Sequence, residues 1–242
     1  MNEDFQERDQ PLRHAHLHSC TGLMERAAAP APPLARTDDV AVSTHEGGTR
    51  LLARLRAPAD PLVPRTLTAG EFLLRPPSVD EHMEVLALGV DPDVRLWNPR
   101  CQVTDKASAI RDCLAGADWS GGTHATFSII HRGSGRYAGN IAVHSIDRAN
   151  SQAKMGYRVA PWTRGQGVAT AAVRSVIGWA LGDLGLARLL LTHGVENIAS
   201  CRVAQKAGFD LEGTMPLAKR FGDEQLHDEH LHVLLAGPRH TT

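Results

Sequence analysis

Residues 164–170 read Arg-Gly-Gln-Gly-Val-Ala-Thr and stand between a β-like run, Met155 to Val159, and a strongly helical one, Ala169 to Leu181. A strand that feeds a glycine-rich turn opening a helix leaves several main-chain N–H groups unpaired at the helix start. There they and the positive end of the helix dipole favour a phosphate. Gly165 and Gly167 carry no Cβ, so the backbone can take unusual dihedrals and approach a pyrophosphate closely. The residue types narrow the kind of cradle. A Walker loop requires a Lys-Ser/Thr pair after its last glycine, and Val168-Ala169 excludes it. A dinucleotide fingerprint requires a third small residue and an acidic residue about twenty positions on. Gly165-x-Gly167-x-x-Thr170 gives half of that pattern, and the required distance falls near Gly185, without a carboxylate.

Further along, Asn197 is of a type that caps helices, and Ser200 falls in the first turn of the helix it would cap. Cys201 beside it reads as a small buried side chain rather than a nucleophile, since no base is placed next to it in sequence. His14, His16, His18 and Cys20 alternate, which on a strand would put four ligand types on one face. Metal sites usually draw ligands from separate elements to complete a tetrahedron. A solvated tail is the simpler reading, and no metal is expected.

The elements that position these residues form an α/β pattern. Leu67 to Arg75 reads as a strand, Val79 to Gly89 as a helix, and Thr104 to Ala117 as a second helix with Thr104 as its N-cap. Thr126 to His131 and Tyr137 to Ile146 are strands joined by a hairpin turn over 132–136. Lys154 to Val159 is the strand before the glycine turn. The helix after the turn puts Val173, Val176, Ile177, Ala180 and Leu181 on one face and ends at Gly182 or Gly185. Arg188 to Thr192 is a buried strand, Asn197 caps a helix that runs to Ala207 and stops at Gly208, and Leu231 to Leu235 is a last strand. Residues 1–65 differ in composition: seven prolines sit among alanines and arginines with few aromatics, which marks an extension that buries little apolar area by itself. The domain proper is expected over 66–238.

Of 242 residues, 26 are Lys or Arg and 27 are Asp or Glu, giving a net charge of −1, so no global field points to nucleic acid or a membrane surface. The most apolar stretch, Val173 to Leu191, is interrupted by Arg174, Asp183 and Arg188 and is no membrane span. The N-terminus is acidic with no apolar run behind it, which argues against a signal peptide. The four cysteines form no Cys-x-x-Cys pair, and a reduced cytoplasm is the simpler location.

Arg164-x-x-Gly167-x-Ala169 matches the Arg/Gln-x-x-Gly-x-Gly/Ala loop of the GNAT acetyltransferase superfamily. From Gly156 to about Leu235 the chain resembles the RimJ/RimL branch. It shares Gly156-Tyr157-Arg158-Val159, Glu196-Asn197-x-x-Ser200, Lys206-Ala207-Gly208-Phe209, Leu211-Glu212-Gly213 and His227-Asp228 in that order. The resemblance implies a GNAT fold, a mixed and mostly antiparallel sheet flanked by helices. It also implies acetyl-CoA as cosubstrate and transfer to a primary amine, a peptide N-terminus or a small amine, by direct attack in a ternary complex. In that reading the N–H groups of Gln166, Gly167, Val168 and Ala169 face the pyrophosphate, with Gly165, the Thr170 hydroxyl and Arg164 nearby. The edge of Arg158-Val159 pairs with the pantetheine arm, Asn197 also bonds the pantetheine, and Ser200 protonates the departing thiolate.

The general base is where this sequence leaves the pattern. The glutamate of some RimL-like enzymes falls on Lys219 or Arg220, and a second carboxylate common in relatives is Lys154 here. Asp223, Glu224, His227 and His144 remain as candidates. Segments 91–98, 147–152 and 217–228 are expected to shape the acceptor pocket. Two other readings stay open: an acyltransferase using another acyl-CoA or a carrier-bound acyl group, and a domain that binds acyl-CoA without catalysis. A homodimer is compatible with either.

Overall fold

The structure, a computed structural model, describes residues 60–237. Most of the N-terminal extension, with its His14 to Cys20 run, lies outside the described residues. At its described end Leu62 is buried and its N–H donates to the Trp119 carbonyl, so compact packing begins a few residues before the expected boundary.

Eight strands form one sheet in the order β1-β2-β3-β4-β5-β6-β8-β7. They are β1 (Leu67–Ala69), β2 (Phe72–Arg75), β3 (His124–His131), β4 (Tyr137–Asp147), β5 (Gln152–Val159), β6 (Arg188–Gly194), β7 (Asp210–Arg220) and β8 (Leu226–Leu235). The helices are α1 (His82–Gly89), entered through a 3-10 turn at Val79–Glu81, then α2 (Pro92–Trp97), α3 (Lys106–Ala117), α4 (Val168–Gly182) and α5 (Ile198–Ala207). Only β5 and β6 run parallel; the other neighbours are antiparallel. The mixed, mostly antiparallel sheet between helices is the fold that the sequence predicts. Among the described residues, no helix is long and apolar enough to cross a membrane.

Alternation builds the main core. Ala125, Phe127 and Ile129 on β3 and Ile141 and Val143 on β4 are fully buried, and α4 lays Ala172, Val173, Val176 and Ala180 over the sheet at helical spacing. Each large apolar side chain so buried contributes ~1.5–3 kcal/mol. Trp119, Phe127 and Trp179 close one end, with ring centroids 4.8 Å apart for Trp119–Phe127 and 5.3 Å for Phe127–Trp179. A second cluster, with Val85, Leu88, Val94, Val103 and Cys113, joins α1, α2 and α3.

Several boundaries differ from expectation. The first strand is a tight hairpin, because Gly70 at φ +60° turns the chain. The cap of α3 is Asp105, not Thr104: its Oδ1 accepts the Ser108 N–H at 2.7 Å. Helix α2 has too few residues for a periodic signature and is set by Asp91 as N-cap with Pro92 behind it. Strand β7 is the sheet edge and mostly exposed, so it carries no alternation to read.

Candidate active site

The parallel pairing of β5 with β6 runs only from Gln152↔Arg188 to Lys154↔Leu190. Beyond it the strands part, and a cleft of about 1430 Å³ opens between them. On its other edge β5 stays paired to β4, as far as Gly139↔Val159. The Ala160 N–H donates to the Ala138 carbonyl, so strand alternation turns the main-chain groups of Arg158 toward β4 and those of Tyr157 and Val159 toward the gap. Of the Arg158-Val159 pair, Val159 is therefore the one whose N–H can meet a ligand there. The Arg158 side chain lies across the sheet, its Nε 3.1 Å from Asn140 Oδ1 and its guanidinium 3.5 Å from Asp112. Gly139, at φ +140°, makes this register possible: a Cβ there would sit 2.2 Å from the Arg158 carbonyl oxygen.

At the mouth of the gap stands the glycine turn. Gly165 (φ +77°) and Gly167 (φ +80°) are left-handed, and Gly167 is the N-cap of α4. The N–H groups of Gly167, Val168, Ala169 and Thr170 find no hydrogen-bond partner among the described residues. The Gln166 N–H instead donates to the Thr163 carbonyl at 3.3 Å, and its side chain donates to the Trp162 carbonyl. The run of free N–H groups thus begins at Gly167 rather than at Gln166. Arg164 lines the cleft, but its guanidinium is forked between Asp91 (2.5 Å) and Asp93 (2.7 Å) at the start of α2.

The start of α5 supplies the next groups. Asn197 Oδ1 accepts the Ser200 N–H at 3.0 Å, which makes Asn197 the cap, and both residues line the cleft. Ser200 Oγ lies 2.9 Å from the Tyr157 hydroxyl. Burial pushes the Tyr157 phenol up to about 12, so it keeps its proton at working pH and can donate to Ser200. Tyr157 is a candidate that sequence reasoning misses, because a strand tyrosine carries no mark of its partner on a distant helix.

The candidate bases separate. His227 is held between Asp223 (2.8 Å) and Glu196 (3.3 Å), and these bonds raise its pKa. Asp223 is lowered by the Gln225 N–H and by His227. Glu224 occupies a tight turn at φ +61°. His144 lines the cleft and is lowered by burial, then by the charges of Lys154, Arg100 and Lys219, which leaves a neutral imidazole. Lys154 and Lys219 line the cleft as well. Lys219 Nζ stands 3.7 Å from Glu229, a buried carboxylate of the cleft wall. Glu229 escapes sequence reasoning because β8 starts earlier than its apolar run suggests. Lys219 follows a bulge at which Leu217 (φ +47°) donates its N–H to Asp228 Oδ1 at 2.8 Å.

Two of the three expected acceptor segments reach the cleft, through Asp93, Val94, Trp97 and Asn98 and through Ala218, Lys219 and Phe221. Segment 147–152 does not; it lies at the far end of β5, where β5 and β6 are still paired.

Residues 71–210, more than half of the chain, match the family described as "Acetyltransferase (GNAT) domain". The "Putative ribosomal N-acetyltransferase YdaF" of Bacillus subtilis (strain 168) is 37% identical over 79 residues, 33% of this chain and 43% of that protein. The chain spans about half or less of the length of the curated relatives it matches. Among solved structures, RimL, named as the ribosomal L7/L12 alpha-N-protein acetyltransferase and in complex with coenzyme A, superposes with a TM-score of 0.64 at 18% identity. That match covers 71% of this chain and 98% of the other. The microcin C7 self-immunity acetyltransferase MccE, in complex with acetyl-CoA and AMP, gives 0.62 at 22% identity over 69% of this chain and 93% of its own. These two similarities carry the fold, and the matched domain carries the family: the chain belongs to the GNAT acetyltransferase family.

Proposed function

We propose that the chain transfers the acetyl group of acetyl-CoA to a primary amine by direct attack, with an α-amine of a peptide as the preferred acceptor, in the manner of the RimJ/RimL branch. The observation that carries this reading is the gap between β5 and β6, with free main-chain groups along one wall and unpaired helix-start N–H groups at its mouth. Acetyl-CoA supplies an activated thioester, and the residues present fit it. Gly167, Val168, Ala169 and Thr170 offer N–H groups to its pyrophosphate, and Val159 and Asn197 offer hydrogen bonds along the gap.

The rest is proton handling. His144, neutral and facing the cleft, accepts the proton of the attacking amine, with Glu229 as the second acceptor on the opposite wall. Ser200 holds a proton for the departing sulfur and is itself supplied by Tyr157. Arg100, Lys154 and Lys219 around the acceptor side repel a cationic side chain and suit a neutral or acidic peptide. The three described cysteines are free thiols, in keeping with a cytoplasmic location. The test is thiol release from acetyl-CoA with a panel of peptides and small amines. Amine-dependent release supports the reading; coenzyme binding without release to any amine would favour a binding domain instead.

A further inference from the structure

At the edge of the cleft, the β6/β8 pair carries another set of reactive side chains. His193 lies opposite His230, and His232 lies opposite Leu191, so the three imidazoles share one face of the sheet. The same alternation turns Glu229 and Leu231 to the other face. Cys201, on α5 next to Ser200, comes down on the imidazoles with Sγ 3.9 Å from His232 Nε2. One potential ligand atom from each of His193, Cys201, His230 and His232 lies within 4.8 Å of the other three.

These nitrogens are short of partners. His232 is fully buried and His193 is 5% exposed. His193 Nε2, His230 Nδ1 and His232 Nδ1 are buried with no hydrogen bond. Leaving such groups unsatisfied opposes folding unless something binds them. His193 is also oriented as ligating histidines are: the Gly194 carbonyl, 2.8 Å from Nδ1, can only accept, so the proton sits on Nδ1 and the lone pair on Nε2.

We propose that His193, Cys201, His230 and His232 form a tetrahedral site for a divalent ion of the zinc class, fastening the start of α5 to β6 and β8. Three imidazoles and one thiolate from three separate elements are a donor set that zinc accepts. Bonds of ~2.0–2.3 Å place tetrahedral donors ~3.3–3.7 Å apart, so closure needs side-chain shifts of about 1 Å. On binding, the Cys201 S–H bond breaks, its proton leaves to solvent and a metal–sulfur bond forms, leaving a site of net charge about +1. Four protein ligands leave no open position, so the ion is structural and acts on the reaction only by holding Asn197 and Ser200, which precede Cys201 on the same turn.

The test uses the full chain without a histidine tag. Elemental analysis is expected to find one zinc per chain after desalting from excess Zn²⁺. Chelator-treated protein given Co²⁺ should develop the intense visible absorption of a tetrahedral ion together with a near-ultraviolet thiolate-to-cobalt band. Cys201→Ser should lose that band. Losing even a second-shell partner weakens metal sites ~10–100-fold, so His230→Gln should weaken Co²⁺ binding at least ~10-fold. Substoichiometric zinc, a weak octahedral Co²⁺ spectrum, or a thiolate band that survives Cys201→Ser would each overturn the proposal. Should either variant fail to fold, the zinc count and Co²⁺ spectrum of the unsubstituted chain decide it alone.

Discussion

In the proposed reaction Ser200 and Tyr157 act as a pair, and their substitutions should be non-additive. A donor aimed at the leaving sulfur matters only as charge builds there, so Ser200→Ala is expected to lower kcat by ~10-fold or more with coenzyme affinity unchanged. Tyr157→Phe should cost less alone and little more on top of Ser200→Ala, because the two hydroxyls form one chain. Stopped-flow turnover and calorimetry on the three variants check this; additive losses would separate the residues. Removing a positioned base typically costs ~10²-fold or more, and His144→Gln is expected to lower kcat/KM by about that factor at pH 7. His227 supplies a pH test. Its bonds to Asp223 and Glu196 raise its pKa above the unfolded value, so its contribution to stability is complete below about pH 6.5 and is lost as pH rises through the raised pKa. The melting temperature should fall over that interval, and His227→Gln should flatten the change.

In the proposed binding mode the glycine turn and α4 together make the anion cradle. Gly167 has open space around it but a left-handed backbone, so a β-branched residue there re-aims the N–H groups without disturbing the core. Gly167→Val is expected to abolish coenzyme binding by calorimetry while a cooperative melt remains. Gly139→Ala is different, since its Cβ collides with the Arg158 carbonyl; a destabilisation of ~1–3 kcal/mol, with β5 displaced, is expected in denaturant melts. These two elements differ in how far the sequence discloses them. The turn is legible because its glycines, its helix start and its Arg164-x-x-Gly167-x-Ala169 spacing are local. The β5/β6 gap itself is not, because where two strands stop pairing depends on neighbours from across the chain. For the same reason Arg164 reads as a phosphate group in sequence but is paired with Asp91 and Asp93 on α2, an element too short to announce itself.

At the scale of the molecule, the mixed sheet between helices and most of its elements follow from alternation, helix periodicity and the family pattern. The proposed proton acceptors do not: His144 is brought in by its register with Lys154, and Glu229 lies on β8 ahead of the apolar run that marks that strand in the sequence. In the resemblance to the RimL-like pattern, Lys154 and either Lys219 or Arg220 fall at carboxylate positions, and this bears on the choice of acceptor. At pH 7 about one α-amine in ten is neutral, with a reference pKa near 8, but fewer than about one lysine ε-amine in a thousand, with a pKa near 10.4. A neutral His144 suffices for the first, and Lys154, Lys219 and Arg100 disfavour the second. The most direct measurement offers one peptide carrying both a free α-amine and an internal lysine to the chain with acetyl-CoA at neutral pH, and locates the acetyl group by fragmentation mass spectrometry. α-Acetylated peptide formed in step with free coenzyme A, with the mass of the protein unchanged, is the expected result; predominant ε-acetylation, or no acetylated peptide at all, would contradict it.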